Sequence, residues 1–218
     1  MPLTLLLASS NPGKLLELRS LLAGLPLELA TPAELGLALQ IEETGATYAE
    51  NAALKARAFA AASGLPTLTD DSGLEVQALA GAPGLHSARF VPQPGASDAD
   101  RRTRLLQALA GHPQPWLATF KSAICLAYAA PEEGAARGVS GGLRPPTKLQ
   151  IVISEGICDG EIIPEERGTG GFGYDRIFLV EGQGRTMAEL GLEEKNQFSH
   201  RARAMATMVE VLKLLAEG

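Results

Sequence analysis

The chain has 218 residues, is 45% hydrophobic and carries a formal net charge of −6. That size and apolar content suit one α/β domain with a core of its own. The acidic balance argues against a nucleic-acid partner, because grooves that hold such polymers carry a Lys/Arg excess. Cys125 and Cys158 lie in apolar runs without CxxC or Cys/His spacing, so they read as reduced core thiols and fit a cytoplasmic setting. The opening MPLTLLLASS has no basic n-region and is too short for a membrane span, so a soluble, unprocessed protein with no membrane partner is expected.

In chain order, Leu3 to Ala8 is a continuous apolar run and predicts a buried strand. Pro12 suits a first helical turn, and Leu15, Leu18, Leu21 and Leu22 follow at helical spacing. A second helix is predicted from Thr47, whose spacing to Glu50 is that of a capping box, to Gly64. LPTLTDDSGLEV reads as a strand that breaks at an acidic turn and resumes. Asp98 to Ala110 is helical in pattern. WLATFKSAICLAYAA and LQIVISEGICDGEIIP predict the two long strands of a hairpin, joined by a mobile connection at about 131–149. A short strand RIFLV and a closing amphipathic helix from Ser199 complete the chain. The expected fold is a mixed α/β sheet flanked by helices, a single domain over 1–218.

Several short stretches concentrate polar residues where such a fold would leave backbone groups open. In SSNPGK a strand-to-helix turn gathers free N–H groups and the helix dipole; Ser9, Ser10 and Asn11 add donors, and Lys14 adds charge, a pattern suited to a triphosphate. It lacks the GxxxxGK[ST] of a P-loop. Asp70-Asp71 and Glu42-Glu43 put adjacent carboxylates beside Ser-Gly and Thr-Gly turns. Such pairs suit a hard cation, with Mg²⁺ bridging one or two carboxylates to phosphates and another carboxylate serving as general base. Lys55 shares a helix face with Asn51 and is placed either to reach phosphates or to be solvated.

GTGGFGYD surrounds Phe172 with glycines, which leaves its ring open for stacking on a base or for return to the core. Tyr174 and Asp175 are placed to add a hydrogen bond or to fix that loop. EEKNQFSHRARA sets His200 and Arg201 in the first turn of the last helix, capped by Ser199, with Lys195 just upstream. Cations are disfavoured there by the dipole, which suits a carbonyl or phosphate ligand. His86 and His112 read as structural or solvated.

Taken together, SSNPGK, EETGATYAENAALKAR, TDDSGLEV with GAPGLHSAR, GTGGFGYD and KNQFSHR resemble, in order and spacing, the inosine triphosphate pyrophosphatase (Ham1-like) family. The resemblance implies Mg²⁺-dependent hydrolysis of ITP, dITP and XTP between the α and β phosphates. It also implies a homodimer with an elongated central sheet and two lobes about a central cleft. By position it implies phosphate contacts at Ser9, Asn11, Lys14 and Lys55, and a metal site at Glu43 and Asp71; the residues themselves add Ser10 as a further substrate donor and Asp70 as a further candidate ligand. Asp71 falls on the proton acceptor and Ser72 on a substrate contact. Phe172, Gly173, Tyr174, Asp175, Lys195, His200 and Arg201 fall on base recognition. The Ala130 to Leu149 connection is longer than the family pattern. The Maf-like family, with a Ser-Pro-Arg-Arg opening in place of Ser-Asn-Pro-Gly-Lys, and a non-catalytic nucleotide-binding protein are the alternatives.

Overall fold

The computed structural model describes residues 2–129 and 148–217. The connection expected at about 131–149 thus lies, up to position 147, outside the described residues. Among the described residues seven strands and five α-helices follow in the order β1 (Leu3–Leu7), α1 (Pro12–Leu21), β2 (Leu27–Ala30), α2 (Tyr48–Ser63), β3 (Thr67–Val76), β4 (Pro83–Gly84), α3 (Asp98–Leu109), β5 (Trp116–Ala129), β6 (Leu149–Ile162), β7 (Phe178–Val180), α4 (Leu192–Lys195) and α5 (His200–Glu217). The sheet order is β2-β1-β3-β5-β6-β7, with β4 paired to β3. Parallel and antiparallel pairs both occur, so the sheet is mixed and the chain belongs to the expected α/β class. No helix among the described residues is long and apolar enough to cross a membrane.

The chain divides into two compact units. The first comprises Met1–Asp71, Ile124–Ser154 and Thr207–Gly218. Here β1 runs parallel to β2 and to β3, and parallel neighbours need crossovers, which α1 and α2 supply. Leu5, Leu6 and Leu7 are fully buried, as the continuous apolar run requires. Helix α2 buries Ala52, Ala56 and Ala60 at four-residue spacing together with Phe59, so the small side chains let the helix lie close to its neighbours. It stops at Gly64, whose φ of 70° is left-handed, a conformation that costs glycine little.

The second unit comprises Ser72–Ala123 and Glu155–Ala206. Its core joins Leu74, Leu105, Leu109, Phe120, Ile177 and Phe178, among others. Ser97 caps α3 in a reciprocal pair with Asp100, which satisfies end groups that have no partner within the helix.

Three details depart from expectation. Strand β3 does not break at Asp70-Asp71 but runs unbroken from Thr67 to Val76. The cations described below compensate the carboxylates, so a buried strand can carry them. Strand β2 was not foreseen, because LELA is only four residues long and its pattern is not distinctive. The last short strand begins at Phe178, leaving Arg176 and Ile177 in a turn.

Candidate active site

In the first unit the cradle turn is already organised by its own side chains. Asn11 is the N-cap of α1, and its Oδ1 accepts from the Lys14 N–H at 3.1 Å. The Asn11 N–H in turn donates to Ser9 Oγ at 3.2 Å. Asn11 therefore acts first as an acceptor that shapes the helix start, whereas the sequence suggested a donor. Ser10 is exposed beside it.

Lys14 Nζ reaches across to Asp70 Oδ2 at 2.9 Å, and the Asp70 side chain is fully buried. Lys55 Nζ lies 2.7 Å from Asp71 Oδ1, 3.0 Å from Glu43 Oε1 and 3.2 Å from the Asp70 carbonyl oxygen. Of the two readings left open for Lys55, solvation is therefore excluded. Successive strand residues project to opposite faces, so Asp70 and Asp71 do not form one chelate. Asp71 is grouped with Glu43, while Glu42 is exposed.

Burial pushes the Asp71 carboxyl above the ordinary carboxylate value, and the nearby Lys55 and Lys14 ammoniums only partly oppose it. For Lys55 the effect of burial, which would lower its value, is outweighed by Asp71 and Glu43, and the ammonium is held above its usual range. The Glu43 loop is fixed from α2: the Gly45 N–H donates to Oδ1 of buried Asn51 at 2.8 Å. A Cβ on Gly45 would press on Glu50 and Asn51 at 2.7 and 2.8 Å. The position therefore needs glycine for close approach. Sequence spacing had used Asn51 only as a helical reference point for Lys55.

Two carboxylates that converge on one ammonium form a donor set for a hard cation, since Mg²⁺ takes one or two protein carboxylates and completes its shell with water and phosphate oxygens. Among the described residues no group of three or more His, Cys, Asp or Glu side chains gathers as a metal site.

In the second unit Phe172 is half-buried, with the Arg201 guanidinium 5.8 Å from its ring centroid. Arg201 is 1% exposed and donates from Nη2 to Ser72 Oγ at 3.1 Å. Asp175 Oδ2 accepts from the Phe172 N–H at 3.1 Å and from Lys195 Nζ at 2.6 Å. Tyr174 is buried, and its hydroxyl donates to the Ser87 carbonyl at 2.9 Å. Burial pushes its phenol well above the ordinary range, so it anchors the loop as a neutral group. The His200 ring stacks on Phe120 with centroids 4.9 Å apart. Ser199 Oγ accepts from the Ala202 N–H, as its capping role requires. His86 and His112 are exposed.

Sequence reasoning passed over Asp98, Arg102 and Glu166. The Gly173 N–H donates to Asp98 Oδ2 at 2.8 Å, and Arg102 Nη1 donates to the Gly173 carbonyl at 2.9 Å. Arg102 also binds Glu166 through Nε and Nη2. These contacts join positions more than sixty residues apart, and no local motif announces them.

The chain is similar to known proteins over nearly its whole length. A dITP/XTP pyrophosphatase of Xanthomonas oryzae pv. oryzae is 45% identical over 213 residues, 97% of this chain and 98% of its own length. One of Ralstonia nicotianae is 44% identical over 96% of each. Among solved structures, a HAM1 protein of Coxiella burnetii superposes with a TM-score of 0.78 at 39% identity, covering 97% of this chain and 99% of its own. The Staphylococcus aureus Ham1 protein gives 0.76 at 33% identity with the same coverage. The sequence model of the Ham1 family matches residues 5–211, and the chain belongs to that family.

Proposed function

We propose that this chain hydrolyses the non-standard purine nucleoside triphosphates ITP, dITP and XTP to the monophosphate and pyrophosphate, removing them from the nucleotide pool. The observation that carries the reading is the convergence of the Glu43 and Asp71 carboxylates on Lys55 beside the Lys14–Asp70 pair. It is a charge arrangement suited to a triphosphate and its cation, in a chain whose relatives are named dITP/XTP pyrophosphatases. The work is proposed to take place in the cytoplasm, with the chain as a homodimer.

Glu43 and Asp71 would hold Mg²⁺, which supplies neutralisation of triphosphate charge when bound. Asp70 is taken up by Lys14 and stands outside that pair. On binding substrate, the Lys14 and Lys55 ammoniums exchange carboxylate partners for phosphate oxygens and stabilise charge that develops on the pyrophosphate leaving group. Asp71 accepts the proton of the water that attacks the α phosphorus, and a carboxyl raised by burial is better suited to that task than an ordinary one. Ser9, Ser10 and the N-terminal amides of α1 orient phosphate oxygens.

Base recognition falls to a separate group of residues. Phe172 offers its ring for stacking, and His200, Arg201, Lys195 and backbone N–H groups form the donor side, with Ser72 beside Arg201. Hypoxanthine and xanthine present an acceptor at their 6-position where adenine presents a donor. A buried donor left unpaired costs about 1–3 kcal/mol, so two such contacts yield strong discrimination.

The test is pyrophosphate release from ITP, XTP, GTP, ATP and dUTP, with Mg²⁺ and with chelator. Metal-dependent turnover of ITP and XTP well above ATP and GTP supports the reading. Absence of release from every nucleotide refutes it and leaves a binding role.

A further inference from the structure

Helix α3 presents two side chains of opposite charge, one turn apart, to a single residue of the glycine-rich loop. Asp98 and Arg102 stand at i and i+4 and so share a helix face. Asp98 takes the N–H of Gly173 and Arg102 takes its carbonyl, at 2.8 and 2.9 Å. Arg102 is 6% exposed, and Glu166 holds the rest of its guanidinium at 2.7 and 3.1 Å. A guanidinium fixed by a bidentate carboxylate is a rigid hydrogen-bond donor. Gly173 has a φ of +60°, in the region where a backbone without Cβ turns most freely, so its own side chain adds nothing to hold it there.

The neighbours of Gly173 are held by other means. Tyr174 is tied to Ser87, and Asp175 to Lys195 and to the Phe172 N–H. The ring of Phe172 is thus aimed by backbone on either side of its Cα; on the C-terminal side the Phe172 carbonyl accepts from the Asp175 N–H at 3.1 Å, and the next peptide, at Gly173, is held by α3.

We propose that Asp98 and Arg102 are positioning residues for base recognition. By gripping Gly173 at both its N–H and its C=O they aim the Phe172 ring at a purine, and so set affinity and selectivity for the base without touching it. The inference rests on the reading that Phe172 stacks on the base.

The test is calorimetric titration of the full chain, with Mg²⁺ present, by the two products, which cannot turn over: inosine monophosphate, which carries the base, and pyrophosphate, which does not. Wild type, Asp98→Ala, Asp98→Asn, Arg102→Met and the fold control Trp116→Phe are compared. The control loses the Trp116 hydrogen bond to the His112 carbonyl elsewhere in the same unit. For Asp98→Ala and Arg102→Met the Kd for inosine monophosphate is expected to rise about tenfold, equivalent to about 1.4 kcal/mol, while that for pyrophosphate stays within about twofold. Asn keeps an oxygen that accepts from the Gly173 N–H, so Asp98→Asn is expected to recover most of the affinity; Trp116→Phe changes neither Kd.

Equal weakening of both products, an unchanged Kd for inosine monophosphate in folded Asp98→Ala, failure of wild type to bind it, or an Asn variant no better than Ala would each overturn the proposal. Release of pyrophosphate from ITP by wild type, run alongside, reports separately on the reading of the activity.

Discussion

The Lys55 ammonium stands 2.7 Å from Oδ1 of Asp71 and 3.0 Å from Oε1 of Glu43, so one internal cation holds together the two carboxylates proposed to receive a metal. Removing it as Lys55→Met leaves them facing each other in a largely buried place. The expected destabilisation in chelator is on the order of 3 kcal/mol, the usual effect of breaking such a pair from one side. Mg²⁺ is expected to recover more of the melting temperature in Lys55→Met than it adds to wild type, because the cation then replaces a missing charge. Thermal unfolding with and without Mg²⁺ decides this, and an equal response in both proteins would count against the shared site.

Asp71→Asn keeps the shape of the side chain but neither the charge nor the basicity. Turnover of ITP is expected to fall by at least about 10²-fold, the lower range for loss of a general base. The Kd for inosine monophosphate should stay within a few-fold. Pyrophosphate release and calorimetry on the same preparation separate the two effects, and near-normal turnover would remove Asp71 from the chemistry.

The grip on the glycine-rich loop has a pH signature. Burial pushes the Asp98 carboxyl upward, but the hydrogen bonds from Arg101 and from the Gly173 N–H prevail and hold it below the ordinary Asp value. A carboxyl depressed on folding contributes stability above its unfolded pKa of about 3.9, and that contribution is lost as pH falls through the lower folded value. The melting temperature of wild type should therefore fall more steeply below about pH 4 than that of Asp98→Asn. The Asp98 side chain is 38% exposed, so solvent keeps the difference modest. Parallel slopes would show that the carboxylate charge is not used there.

Both cysteines are free and buried, and burial raises each thiol to about 11, with Arg57 near Cys125 and Arg203 near Cys158 lowering them only slightly. At pH 8 the thiolate fraction is on the order of one in a thousand, and thiolate is the reactive form. Iodoacetamide followed by mass spectrometry should leave the native chain almost unlabelled and modify both positions after denaturation. Fast native labelling of either would contradict the burial described.

The sequence showed those parts of the molecule that depend on neighbours within a few residues. The cap at Thr47, the stop at Gly64 and the apolar run before the cradle turn all depend on local chemistry, and the structure forms each of them. One feature was misread and another left open because both depend on charges brought from afar. TDDSG reads as a break until Lys14 and Lys55 are set against it, and then β3 can run through. Lys55 has two plausible fates on a helix drawn alone, and only the pairing of β1 with β3 and the packing of α2 choose between them. The grip of Asp98 and Arg102 on Gly173 was out of reach for the same reason: an Asp-x-x-x-Arg spacing is common on solvated helix faces, and what distinguishes this one is a carbonyl seventy-one residues further on.

The most direct measurement is hydrolysis of ITP in ¹⁸O-labelled water with Mg²⁺, with the products resolved by mass spectrometry. Attack at the α phosphorus puts one ¹⁸O in inosine monophosphate and leaves pyrophosphate unlabelled; that result is expected for wild type and is expected to vanish with chelator and in Asp71→Asn. Label in pyrophosphate, or release of orthophosphate in its place, would contradict the proposed reaction.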